Sequence, residues 1–106
     1  MALQLAQDIR RRQPASPDIA DTLGWVYYRL GNFSLAADQA EFAVSKQPTN
    51  GEFQYHLGEI YRKTSAKTKA ITALRKAANS PADFSEKKLA LAALHEIQRE
   101  TAGSNR

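Results

Sequence analysis

Glu52, His56 and Glu59 stand at positions i, i+4 and i+7, so a helix would carry all three on one side. One imidazole and two carboxylates are ligand types that can hold a divalent cation. The set is sparse for that purpose, because closed zinc sites use four ligands and the helical HExxH motif supplies two histidines and a glutamate. A solvated, salt-bridged helix face is the expected role. His95 has no partner at ligand spacing on its own helix face. Asp18 and Asp21 could be paired as acid and base, but Asp18 falls where a carboxylate meets the free N–H groups and positive dipole end of a first helical turn. The chain has no cysteine, which removes thiolate metal sites, disulfides and cysteine nucleophiles together. Its five glycines are isolated, so no phosphate-binding loop is present. No catalytic residue, metal ligand or cofactor is assigned on this reading, and an enzyme is not expected.

The elements that must position these residues follow from composition and periodicity. At 106 residues, 42% hydrophobic and 25% charged, the chain suits one small packed domain rather than a disordered segment. No apolar run approaches the ~18 residues of a membrane span. Residues 1–8 lack the basic start and apolar stretch of a signal peptide. A cytoplasmic and a periplasmic location both fit. The net charge of +4 comes from 15 basic and 11 acidic residues, and Arg10, Arg11 and Arg12 form the one run of three. Cations at a helix C-terminus complement the macrodipole, so a solvated helix end is expected there rather than a nucleic-acid footprint.

A 34-residue offset orders the sequence. Leu23 and Gly24 return as Leu57 and Gly58, Tyr27 as Tyr61, Ala36 as Ala70, Ala43 as Ala77 and Pro14 as Pro48. Ala20, Leu23, Gly24 and Tyr27 occupy i, i+3, i+4 and i+7, one face of a helix. A glycine inside a helix costs ~1 kcal/mol against alanine, so Gly24 signals a neighbouring helix that comes close. Gly31 and Asn32, which tolerate a left-handed turn, end that helix. Phe33, Ala36, Ala40 and Ala43 share a face of a second helix, and Pro48 closes the unit. Each unit reads as a helix, a tight turn and an antiparallel helix, with small residues at the crossing.

These residues, Leu-Gly-x-x-Tyr followed by Gly-x-Phe, two alanines and a proline, resemble the tetratricopeptide repeat. Residues 17–50 match almost throughout, with Ala20 and Ala40 standing where the family often has aromatics. Residues 51–84 match at Leu57, Gly58, Tyr61, Ala70, Leu74 and Ala77. They depart at Ser65, where glycine is usual, and at Lys67, where an aromatic is usual, which predicts a looser second turn. Pro81 arrives one residue early, so the second hairpin is expected to end short. The resemblance implies an all-α fold, a right-handed superhelical stack of antiparallel helix pairs with a C-terminal capping helix. Residues 2–13 are expected to be the second helix of a truncated preceding repeat, 17–50 and 51–82 two repeats, and 83–100 the cap. Ala90, Leu91, Leu94 and Ile97 would form the apolar side of that cap, and Glu86, Lys87, Lys88, Glu96, Arg99 and Glu100 its polar side. Residues 101–106 are expected to fray. A chain that starts mid-repeat and ends in a cap reads as the C-terminal piece of a longer array.

Scaffolds of this kind host many functions, and the resemblance implies a module that binds another protein or a peptide segment of one. In the family the inner wall is lined by the first helix of each hairpin. Tyr27, Phe33 and Tyr61 fall on packing positions. Asp18, Asp21, Trp25, Tyr28 and Arg29 fall on the wall in one repeat, with Glu52, Tyr55, Glu59, Arg62 and Lys63 in the next. Asp21, Trp25, Tyr28, Arg29, Tyr55, Glu59, Arg62 and Lys63 are therefore the expected partner-binding residues. The competing reading is that Trp25 and Tyr28 only pack against the preceding hairpin, whose first helix is missing from the sequence. Family members that grip a C-terminal carboxylate use lysine and asparagine where this chain has Asp21 and Trp25, which disfavours that ligand. The wording of residues 21–31 also resembles C-terminal repeats of long bacterial proteins of envelope and exopolysaccharide assembly. A nucleic-acid-binding helical repeat is the runner-up, but the basic residues do not recur at the repeat offset as base-reading contacts would. Self-association through the face of residues 2–13 is the third possibility. No small-molecule substrate is expected.

Overall fold

Capping chemistry sets the helix boundaries. The computed structural model describes the backbone of residues 2–104 and the side chains of residues 2–100. Six helices follow one another: α1 Leu3–Arg12, α2 Pro17–Arg29, α3 Phe33–Lys46, α4 Gly51–Lys63, α5 Lys67–Ala78 and α6 Lys87–Ser104. No strand occurs among the described residues. Ser16 caps α2 by accepting from Ile19 N at 3.3 Å, with Pro17 in the first turn. Asp18 lies in that first turn but does not make the cap expected of it, because Ser16 already holds the position. Asn32 and Asn50 cap α3 and α4 in the same way, through Leu35 N and Phe53 N.

The two hairpin turns share one hydrogen-bond pattern. After α2, Gly31 takes φ +82° and the N–H groups of Asn32 and Gly31 reach back to the carbonyls of Tyr27 and Tyr28. After α4, Ser65 takes φ +61°, with Ala66 and Ser65 bonding to Tyr61 and Arg62. The second turn thus keeps its geometry at the cost of a left-handed serine, and no side chain caps α5. Ser65→Gly is expected to raise stability by about 1 kcal/mol. Denaturant unfolding of the two proteins checks this, and an unchanged or lower midpoint counts against it.

Packing follows the small-residue positions. The α2–α3 and α4–α5 hairpins close over Ala20, Ala36, Ala40, Ala43, Ala70, Ala73 and Ala77, all buried. One core cluster joins Ala6 of α1 to Leu23, Tyr27, Leu57 and Ile60. Another joins Tyr55 and Leu74 to Ala90, Ala93, Leu94 and Ile97 of α6. The product is an elongated stack, 49 × 29 × 20 Å. Contacts across the stack rise together in residue number: Asp21 meets His56, and Tyr28 feels Glu59 and Arg62. His56 in turn meets Glu86, and Arg62 meets Glu96. Helices α2, α4 and α6 therefore run in the same direction.

Three expectations change at the C-terminal end. The last helix begins at Lys87 rather than residue 83 and continues to Ser104 rather than 100. Residues 105–106 of the expected frayed tail lie outside the described residues. Leu91 is 40% exposed, and Ala93 turns inward instead, because the buried set Ala90, Ala93, Leu94 and Ile97 follows the face that meets α5. The second hairpin does end short: α5 has 12 residues against 14 in α3.

Candidate partner-binding wall

Helices α2 and α4 place their off-core side chains on one wall, and α6 extends it. The eight residues expected there divide into two hollows. An open cavity of ≈740 Å³ is lined by Asp21, Trp25, Arg29 and Tyr55, together with Glu52, His56, Glu86 and Leu89. A smaller hollow of ≈260 Å³ is lined by Tyr28, Glu59, Arg62 and Lys63. The wall carries charge in order. Acidic residues stand at helix N-terminal ends (Asp18, Glu52) and basic ones in the last turns (Arg29, Arg62, Lys63), each complementing the local dipole. Because the helices are parallel, like ends gather and the wall is polarised along its length.

His56 is the largest departure from expectation. It is 6% exposed rather than a member of a solvated helix face. Its Nδ1–H donates to both carboxylate oxygens of Asp21, at 2.8 and 2.9 Å, and Nε2 lies 3.2 Å from Glu86 Oε2. Glu86, expected on the polar outer side of the cap, turns in to make this contact. The carboxylate of Asp21, also buried, has no hydrogen-bond partner other than the imidazole among the described residues. Burial acts to lower the His56 pKa, but the hydrogen bond and charge of Asp21, with the charges of Glu86 and Glu52, outweigh it and raise the value. A carboxylate faces each ring nitrogen, an arrangement that favours the protonated ring. One ligand atom each from Asp21, Glu52 and His56 lies within 4.8 Å of the others. A metal there would have to displace a carboxylate from a ring nitrogen.

The aromatic residues are less open than their helical positions imply. Trp25 stacks on Tyr28 at 4.4 Å and on His56 at 4.1 Å between ring centroids. Tyr55 lines the open cavity but is only 8% exposed, because it also belongs to the core cluster under α6. Burial and the charges of Glu59 and Glu86 push its phenol up to about 12. Phe33, expected to pack inside, is half-buried with its ring 5.8 Å from Tyr28. Tyr61 is half-buried and donates to Glu41 at 2.6 Å. Glu59 and Arg62 pair with each other at 3.3 Å, and Arg62 also reaches Glu96. Arg29 and Lys63 stay exposed and form no ion pair among the described residues. Arg10 donates to Gln39 and sits over Phe42, whereas Arg11 and Arg12 stay exposed and reach Asp8 on their own helix.

Sequence reasoning missed His56, Glu86 and Leu89 as wall residues. A signal existed for the first. In a 34-residue repeat, residues separated by about 34 face each other on adjacent first helices, and Asp21 and His56 differ by 35.

Antiparallel helix pairs stacked in one direction, with an alanine- and glycine-lined crossing in each and a polarised wall of first helices, define a helical-hairpin repeat protein. The tetratricopeptide repeat family model matches residues 22–84, more than half of the chain, and the chain belongs to that family. Repeats of this family are generally protein–protein interaction modules and typically non-catalytic scaffolds. No curated protein matches the chain. No helix among the described residues is long and apolar enough to cross a membrane.

Proposed function

We propose that this chain is an interaction scaffold that holds an extended or helical segment of a partner protein along the wall of α2 and α4. The observation that carries the reading is the open 740 Å³ cavity with its apolar and charged lining on that wall. Expected contact residues are Asp21, Trp25, Tyr28, Arg29, Tyr55, Glu59, Arg62 and Lys63. Within that set, Asp21 and Tyr55 act mainly by shaping the surface, since both are buried. The resemblance of residues 21–31 to repeats of bacterial envelope and exopolysaccharide assembly proteins supplies the setting in which the partner is sought.

Truncating Trp25 would remove packing against His56 as well as contact surface, so exposed residues make cleaner probes. A photo-crosslinking side chain at Arg29 is expected to yield an adduct with a distinct protein, whereas one at the exposed Asp38 of α3 is expected to yield none. Arg29→Glu with Lys63→Glu should leave the helical content unchanged and weaken partner binding by about tenfold or more. Equal adducts from Asp38 would sink the wall reading. An adduct with nucleic acid or with a second copy of this chain would replace it with one of the two runner-up readings.

A further inference from the structure

Three carboxylates meet at one end of the wall. Asp21 comes from the second turn of α2, Glu52 from the first turn of α4, and Glu86 immediately precedes α6. His56 supplies at most one positive charge, already divided between Asp21 and Glu86. Glu52 is exposed and makes no hydrogen bond or ion pair among the described residues. Burial and then the charge of Glu86 raise its pKa, while His56 acts to lower it. The cation nearest along α2 is Arg29, eight residues or about 12 Å beyond Asp21, and it pairs with none of the three. Beside this excess negative charge lie Trp25 and the exposed Leu89.

We propose that this pocket receives a cationic side chain, arginine or lysine, carried by the partner segment. The charged head lies between Glu52 and Glu86, and the aliphatic stem runs along Trp25 and Leu89, as long cationic side chains do on apolar surface. The inference rests on the wall reading and gives it a direction. Lys63 stands at the opposite end of α4 from Glu52, 11 residues or roughly 16 Å away. An extended segment covers that span in about five residues, so an acidic side chain belongs about five residues from the cation.

The test uses the chain with two peptides, Gly-Arg-Thr-Val-Thr-Val-Asp and the same peptide with neutral citrulline replacing arginine. Trp25 is the single tryptophan, so its indole signal and the His56 ring signals in NMR spectra report on this pocket alone. The arginine peptide is expected to move both and to bind about fivefold or more tightly than the citrulline peptide. Glu52→Gln should abolish that difference, and Asp38→Asn on the outer helix should keep it. Equal affinities for the two peptides, or an arginine preference that survives Glu52→Gln, overturns the pocket while a response confined to the wall leaves the wall reading standing. Shifts confined to the outer helices α3 and α5 overturn both. No response to the arginine peptide at roughly 10 mM, too weak for useful recognition, also overturns the pocket, and the Arg29 cross-linking result then decides the wall. Zinc chloride moving the same signals reversibly, without any response to the arginine peptide, would make this a metal site instead.

Discussion

Gly58→Leu is expected to lower stability by ~3 kcal/mol or more, a fall in Tm of about 12 °C or greater for a domain of this size. A Cβ at Gly58 would stand 2.6 Å from Leu74 Cγ and 2.7 Å from its Cδ2. Leu74 is fully buried, so it has no free space to move into. Gly24 is the repeat-related position, yet its crossing is gentler. A Cβ there meets Ala36 O at 3.2 Å and Gln39 Cβ at 3.3 Å. The same substitutions should therefore rank by repeat. Gly24→Ala gains about 1 kcal/mol of helix propensity against a tight contact and should lie close to the parent. Gly58→Ala should be clearly destabilised, and Gly58→Leu most of all. Thermal and denaturant unfolding of the four variants checks the order. Gly58→Ala as stable as the parent, or Gly24→Leu worse than Gly58→Leu, would show that Leu74 does not seal the second crossing.

The residues that recur at 34 made the hairpins legible, because their positions are fixed by chain-local physics. A glycine inside a helix demands a close neighbour, an asparagine before a helix supplies a cap, and alanines at i, i+4 and i+7 mark a crossing. Gly31 and Ser65 take the same left-handed conformation for the same local reason. What falls between repeats was not legible in this way. His56 belongs to no packing position and its partners sit on two other elements, 35 and 30 residues away. The segment between α5 and α6 has no counterpart one repeat earlier. A Cβ on Gly51 would meet Phe84 and Ser80, so this connection is seated against the start of α4 and delivers Glu86 to His56. Register alone could not foretell that, because it places Glu86 on the polar outer side of the cap. Trp25 shows the same limit. Helical position puts it on the wall beside Tyr28, three residues on, but its stacking on His56 depends on how α4 packs against α2.

The Asp21–His56–Glu86 bracket should make stability depend on pH on the alkaline side of histidine's ordinary range. The folded-state pKa of His56 is raised above the 6.5 of the free side chain. A group with a raised pKa contributes stability that is fully present below its unfolded pKa and is lost as pH rises through the folded value. Tm should therefore be highest near pH 6 and fall from about 6.5 upward. Tyrosines do not confound that window, since Tyr28, Tyr55 and Tyr61 are all raised from 10.0, Tyr55 to about 12. His56→Leu should remove the decline and cost about 3–5 kcal/mol at pH 6, because Asp21 is then left buried without its partner. Asp21→Asn added to His56→Leu removes the orphaned charge and should recover part of that loss while keeping the flat profile. The double variant also preserves the test if the single one fails to fold. Melting curves between pH 6 and 9 on the three proteins decide the matter. A parent Tm that does not change across this range, or a decline of equal size in the double variant, would mean that the proton on His56 does not hold α2, α4 and the start of α6 together.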